Sequence, residues 1–130
     1  MKNPGWGLAV GVVAVTDDLF IGARILETAR RLRVPLTLLG WGEDLPERFR
    51  RLAPALALLD LTADSAEALQ IIRRLKDDPA SGRIVLVGFL PHVLQDRKLA
   101  AEAAGCDRVL ARSAFSSQLP DLLRPHGEAV

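Results

Sequence analysis

A chain of 130 residues has the length of one ordinary domain, and its 49% hydrophobic content is enough for a continuous core. The 17 basic and 16 acidic residues nearly cancel and are interspersed, which argues against a nucleic-acid face or an acidic tail. The lone cysteine, Cys106, excludes an intramolecular disulfide and argues against a thiolate zinc cluster, in keeping with a reducing cytoplasm.

In chain order, residues 8–15 are almost continuously apolar and Val-rich, as a strand buried on both faces of a parallel sheet must be. The run is too short to span a bilayer and is followed at once by Asp17 and Asp18, so neither a signal peptide nor a membrane anchor is expected. Ile21, Ile25, Ala29 and Leu32 then recur at helical spacing. Residues 35–39 form a second strand closed by the Gly40-Trp41-Gly42 turn. Pro46 marks the start of a weak helix over residues 46–52. A third strand over residues 55–59 carries Asp60 at its carboxyl end. Ser65 is placed to cap the next helix, whose stripe of Ala68, Leu69, Ile72 and Leu75 is broken at Asp77-Asp78-Pro79. A fourth strand spans residues 84–89, followed by a helix from Val93 or Leu94 to Ala104 that Gly105 stops. Residues 109–111 form the fifth strand. Ser113 or Ser116 caps a last helix, interrupted by Pro120 and stopped by Pro125, and residues 126–130 read as a frayed tail.

Five apolar strands alternating with helices predict a single doubly wound α/β domain with core residues of about 8–124. The expected sheet is five-stranded, parallel and flavodoxin-like, in the order 2-1-3-4-5, with the second helix shortest or irregular. The densest basic groups, Arg30, Arg31 and Arg33, then Arg48, Arg50 and Arg51, fall at helix ends, where cations complement the dipole and stay solvated. In such a sheet, ligands gather beyond the carboxyl ends of the strands, near the switch in strand order. Asp17, Asp18 and Asp60 all belong there. Three carboxylates at one rim repel each other unless a cation joins them, and Mg²⁺ on carboxylate oxygens, carbonyls and water is the natural resolution. The competing account is that Asp17 or Asp18 only caps the first helix.

The stretch LALLDLTADSAEALQIIRRLKDDPASGRIVLVGF, and after it DRKLAAEAAGCDRVLARSAF, resembles the receiver domains of two-component response regulators, and the likeness runs from about Leu8 to Leu123. The resemblance implies that Asp60 takes the phosphoacceptor position. It also implies departures from the family pattern. Thr16 and Asp17 align with the acidic pair, leaving Asp18 as a substitute and Mg²⁺ binding weak. Gly88 replaces the hydroxyl residue that contacts the phosphoryl group, Arg112 replaces the usual lysine, and Ser113 replaces the proline after it. Val109 stands at the aromatic switch position, and Asp64 and Ala68 stand where the family has Pro and Gly. Arg112 keeps the charge but presents a planar fork rather than a point ammonium. It is also the obvious ion-pair partner for Asp60, and a purely structural salt bridge is the bland account of the two.

The resulting expectation is a stand-alone, cytoplasmic signalling module rather than an enzyme, a pseudo-receiver in preference to a working one. Its partner, a histidine kinase or an output protein, would dock on the surface from Leu94 to Leu123; a homodimer is also compatible, whereas nucleic acid and membrane are not expected. The rival from another class is a small-molecule or nucleotide-binding flavodoxin-like module using the same rim. It lacks a Gly-rich loop, and Thr16-Asp17-Asp18 would repel a phosphate without Mg²⁺. No Ser-His-acid or Cys-His pattern supports a hydrolase. His92 reads as a solvated loop residue, Cys106 as a small hydrophobe, and Trp6 and Trp41 as covers for the core more than partner anchors.

Overall fold

A computed structural model describes residues 11–63, 65–92 and 94–127, so Trp6, the first residues of the expected opening strand, Asp64 and Val93 lie outside the described residues. Strands β1 (Val12–Val15), β2 (Leu36–Leu39), β3 (Leu56–Asp60), β4 (Val85–Leu90) and β5 (Arg108–Ala111) form one sheet in the order β2-β1-β3-β4-β5, with every neighbouring pair parallel. Helices α1 (Leu19–Arg31), α2 (Leu45–Leu52), α3 (Ala66–Asp77), α4 (Gln95–Ala104) and α5 (Arg112–Leu123) make the crossovers.

Parallel strands covered on both faces have no solvent side, and this is why they read as unbroken apolar runs. Along β3, Leu56 and Leu58 face α1 and α5 with Ile25, Phe89, Phe115 and Leu123. Ala57 and Leu59 face the opposite layer, where Phe49 of α2, Ile72 and Leu75 of α3 and Ala101 of α4 complete a second core. Each fully buried Leu, Ile or Phe contributes roughly 1.5–3 kcal/mol relative to exposure, so the two cores hold most of the favourable free energy. Phe89 and Phe115 stack with ring centroids 4.1 Å apart, tying β4 to α5.

Local signals set the helix ends. Ser65 Oγ accepts from Ala68 N at 3.2 Å at the start of α3. Gly105 ends α4 at φ 134°, a conformation that costs a side-chain-bearing residue strain. Helix α2 has eight residues, the shortest of the five described, and Pro46 sits in its first turn, where a missing N–H costs nothing. At the other end of the chain the sequence reading is corrected. Neither Ser113 nor Ser116 caps α5; the helix begins at Arg112 behind Ala111, without a side-chain cap. It also runs through Pro120 to Leu123, and Pro125 lies inside a following 3₁₀ turn (Arg124–His126) rather than ending the helix. Burial of Phe115, Leu119 and Leu123 along one face outweighs the one hydrogen bond that Pro120 cannot make.

Candidate functional site

Asp60 closes β3 at the carboxyl rim, only 7% exposed. A carboxylate there needs donors, and it has them. Its Oδ2 accepts from the Thr16 hydroxyl at 2.7 Å, while its Oδ1 accepts from Thr62 N at 2.9 Å and the Thr62 hydroxyl at 2.5 Å. The Asp60 carbonyl accepts from the Trp41 indole N–H at 2.8 Å, which folds that ring over the rim with its body against the core. The Thr16 hydroxyl also accepts from Asp18 N at 3.0 Å, so one side chain joins the end of β1 to the end of β3.

Asp18 caps α1: its Oδ1 accepts from Phe20 N at 2.9 Å and Ile21 N at 3.1 Å. Asp17 turns toward the β2–α2 loop and accepts from Trp41 N at 3.2 Å. Asp17, Asp18, Asp60, Trp41, Thr62 and Ala63 together line a cavity of about 340 Å³ at the rim. Arg112 is not part of that lining. No Asp60–Arg112 ion pair within 4.0 Å forms among the described residues; Arg112 Nη2 instead donates to the Thr62 hydroxyl at 3.1 Å, and that hydroxyl in turn donates a hydrogen bond to Asp60 Oδ1. Asp60 and Arg112 are thus connected through Thr62 rather than by the direct salt bridge that was the bland account of the two.

The donor set fits a divalent cation poorly. Asp60 already has both oxygens engaged by neutral donors, Asp18 and Asp17 each commit one oxygen to backbone N–H groups, and no group of three or more Asp, Glu, His or Cys among the described residues is gathered closely enough to hold a metal. Two carbonyls at the same rim, those of Leu61 and Thr62, accept from the Arg97 guanidinium of α4.

Gly88 lies inside β4, in register with Leu59 on one side and Val109 on the other. A Cβ at Gly88 would stand 2.5 Å from Leu61 Cδ1 and 3.4 Å from Cys106 Sγ. Leu61 therefore fills the space where a side chain from position 88 would project. Cys106 is buried beside it, and burial, helped by the Asp107 charge, pushes its thiol up to about 12, so it behaves as an inert apolar group. His92 is exposed in the loop after β4 and does not line the rim cavity.

Sequence reading missed the two hydroxyls that hold Asp60, the indole on its carbonyl and the reach of Arg97. A threonine two residues after an aspartate is a legible turn signal, since the carboxylate can accept from the N–H at that spacing. Thr16 and Trp41 gave no such signal, because their partner is remote in sequence and meets them only through the β2-β1-β3 order.

No family model and no curated protein matches the chain. Solved structures do. A response regulator from Burkholderia multivorans superposes with a TM-score of 0.74 at 19% identity, covering 94% of this chain and 98% of that one. An atypical orphan response regulator, described as having a phosphorylation-independent regulatory mechanism, gives 0.68 at 17% identity, covering 91% and 98%. The Mn²⁺-bound form of response regulator Rcp1 gives 0.62 at 17% identity, covering 88% and 90%. None of the helices among the described residues is long and apolar enough to cross a membrane. With the strand order, the two-sided helical cover and these superpositions together, the chain has the flavodoxin-like fold of response-regulator receiver domains.

Proposed function

We propose that this chain is a signalling module of receiver type that works through protein contacts, with Asp60 at the phosphoacceptor position and a switch too degenerate to carry phosphorylation to the rest of the domain. The observation that carries this reading is at Gly88. A receiver couples its phosphoryl group to its output face through a hydroxyl that moves inward and an aromatic ring that follows. Gly88 has no hydroxyl, Leu61 occupies the volume beside it, and Val109, its register partner, has no ring to move. A ligand that makes no differential contacts in two states shifts no equilibrium between them.

Asp60 in this reading is held by Thr16 and Thr62, with Arg112 supplying positive charge from behind Thr62. Mg²⁺ at the rim would face Asp17, Asp18 and Asp60 and would have to displace hydrogen bonds that they already make, so its binding in this reading is weak. The partner surface is residues 94–123, where Leu94 and Leu99 are 49% and 53% exposed on and beside α4. Receiver-fold proteins that regulate without phosphorylation supply a precedent in one of the similar structures.

The test is a titration of the ¹⁵N-labelled protein with beryllofluoride and Mg²⁺. Amide shifts are expected near Asp60 at most, at ion concentrations on the order of millimolar or above, with residues 94–123 almost unmoved. Large shifts across residues 94–123 would show a working switch built from other side chains and overturn the degenerate reading.

A further inference from the structure

On the face of the molecule away from the α2–α3–α4 layer, α1 and α5 enclose a second cavity of about 190 Å³, separate from the rim. Its floor is apolar: Ile21, Ile25, Phe115 and Leu119, with the Phe89–Phe115 ring stack beneath. Its edge is cationic. Arg24 and Arg31 come from α1, one on either side of Thr28, a spacing of four and three residues that places all three on one helix face. Arg112 comes from the first turn of α5, four residues before Ser116, which also lines the cavity. No carboxylate lines it, and none of the three arginines makes an ion pair among the described residues.

Among the described residues the Arg112 Nε is buried with no hydrogen-bond partner, while its Nη2 donates to the Thr62 hydroxyl. A buried N–H of a guanidinium without an acceptor is the costly state of that group, and native structures fill such sites. An apolar floor with three guanidinium groups around it that make no ion pair among the described residues, one of them with an N–H lacking an acceptor there, matches a small organic anion: a flat apolar body with a phosphate or carboxylate at one end.

We infer that the α1–α5 groove is a binding site for such an anion, its ring against Phe115 and Leu119 and its anionic oxygens shared by the guanidinium groups of Arg112, Arg24 and Arg31. The Arg112–Thr62–Asp60 relay then gives the ligand a physical connection to the rim, since drawing the guanidinium toward the groove weakens its hydrogen bond to Thr62. No part of this binding uses phosphorylation or Mg²⁺, so its failure would leave the receiver reading intact.

The experiment is a metal-free NMR titration of the full ¹⁵N-labelled chain with three probes: phenyl phosphate, inorganic phosphate and phenol. Phenyl phosphate is expected to give saturable shifts at residues 21–31 and 112–120, with at least about tenfold higher affinity than either fragment. The Arg24→Ala/Arg31→Ala double variant, altered only at exposed positions, is expected to keep the native spectrum and lose about tenfold in affinity. Equal affinity for inorganic phosphate would overturn the inference, because the apolar floor would then contribute nothing. It would be overturned equally by an absence of saturation, by shifts confined to the rim around Asp17 and Asp60, or by a double variant that binds as the native chain does.

Discussion

Asp60 shows how little a strand-end carboxylate says about its own chemistry until its neighbours are known. Thr16 and Thr62 supply neutral hydroxyl donors to both of its oxygens, so the group is satisfied without a cation. Position 88 is the sharper residue-scale case, because a missing side chain there has been filled by a neighbour. Restoring the hydroxyl by Gly88→Thr should therefore not restore a receiver switch on its own. The new Cβ would meet Leu61 Cδ1 at 2.5 Å, and because that atom is the mobile end of a side chain the expected cost is moderate, about 1–3 kcal/mol of stability by urea unfolding. In a Leu61→Ala background the same substitution should cost measurably less than it does alone. Strict additivity of the two changes would show that Leu61 does not fill the site.

At the scale of elements, α2 is short, and an ion pair ties it down beside its core contacts through Leu45 and Phe49. Arg50 donates to Asp78 Oδ2 at 2.5 Å, linking the last turn of α2 to the residue that ends α3. The Arg50 hydrogen bond, followed by that from Ala80 N, holds the Asp78 carboxyl below its ordinary value of 3.8. A carboxyl depressed in the folded state binds protons more readily when unfolded, so its contribution is present above about pH 4 and is lost as pH falls through the depressed value. Comparing acid unfolding of the native chain with Asp78→Asn should show the native chain more stable near neutral pH and the difference shrinking below about pH 4. A difference that grows on acidification would contradict the assigned sign. The pair is solvent-exposed, so the effect should also weaken with added salt.

For the whole molecule, the sheet is the shared wall of two cores. Phe49 belongs to the α2–α3–α4 side and Phe115 to the α1–α5 side, and both pack on strands that the opposite layer also needs. Opening either layer exposes one face of strands whose other face the second layer covers. Phe49→Ala and Phe115→Ala should each remove about 3–5 kcal/mol and lower the denaturation midpoint with an unchanged slope, in one transition seen alike by near- and far-ultraviolet circular dichroism. Two separated transitions in either variant would show that the layers unfold independently. The same architecture decides where ligands can meet the protein. Arg112 lines the α1–α5 groove and donates through Nη2 to Thr62, one of the residues that line the carboxyl rim.

The sequence by itself determined the fold class, the strand order and the position of Asp60. The fold class and the position of Asp60 rest on local periodicity: five Val- and Leu-rich runs, helical stripes between them, and one acidic residue directly after Leu58-Leu59; the strand order followed from the doubly wound pattern that this alternation and the receiver resemblance imply. Ser65 and Gly105 were legible as helix ends for the same reason, since a cap acts within one turn of its own position. Residues 8–10, on which the expected start of the first strand falls, lie outside the described part, so that boundary stands as an expectation. Only the tertiary structure decided what Asp60 is bonded to, where the Arg112 guanidinium goes, and that Leu61 fills the space beside Gly88. Those partners lie on other strands and helices, 44 residues away in the case of Thr16 and 50 between Arg112 and Thr62. Hydrogen bonds act over about 3 Å, so which of several nearby polar groups is chosen depends on strand register and helix phase. The start of α5 followed the same rule: burial of Phe115, Leu119 and Leu123 fixed its phase, and the serines that looked like caps fell inside the helix.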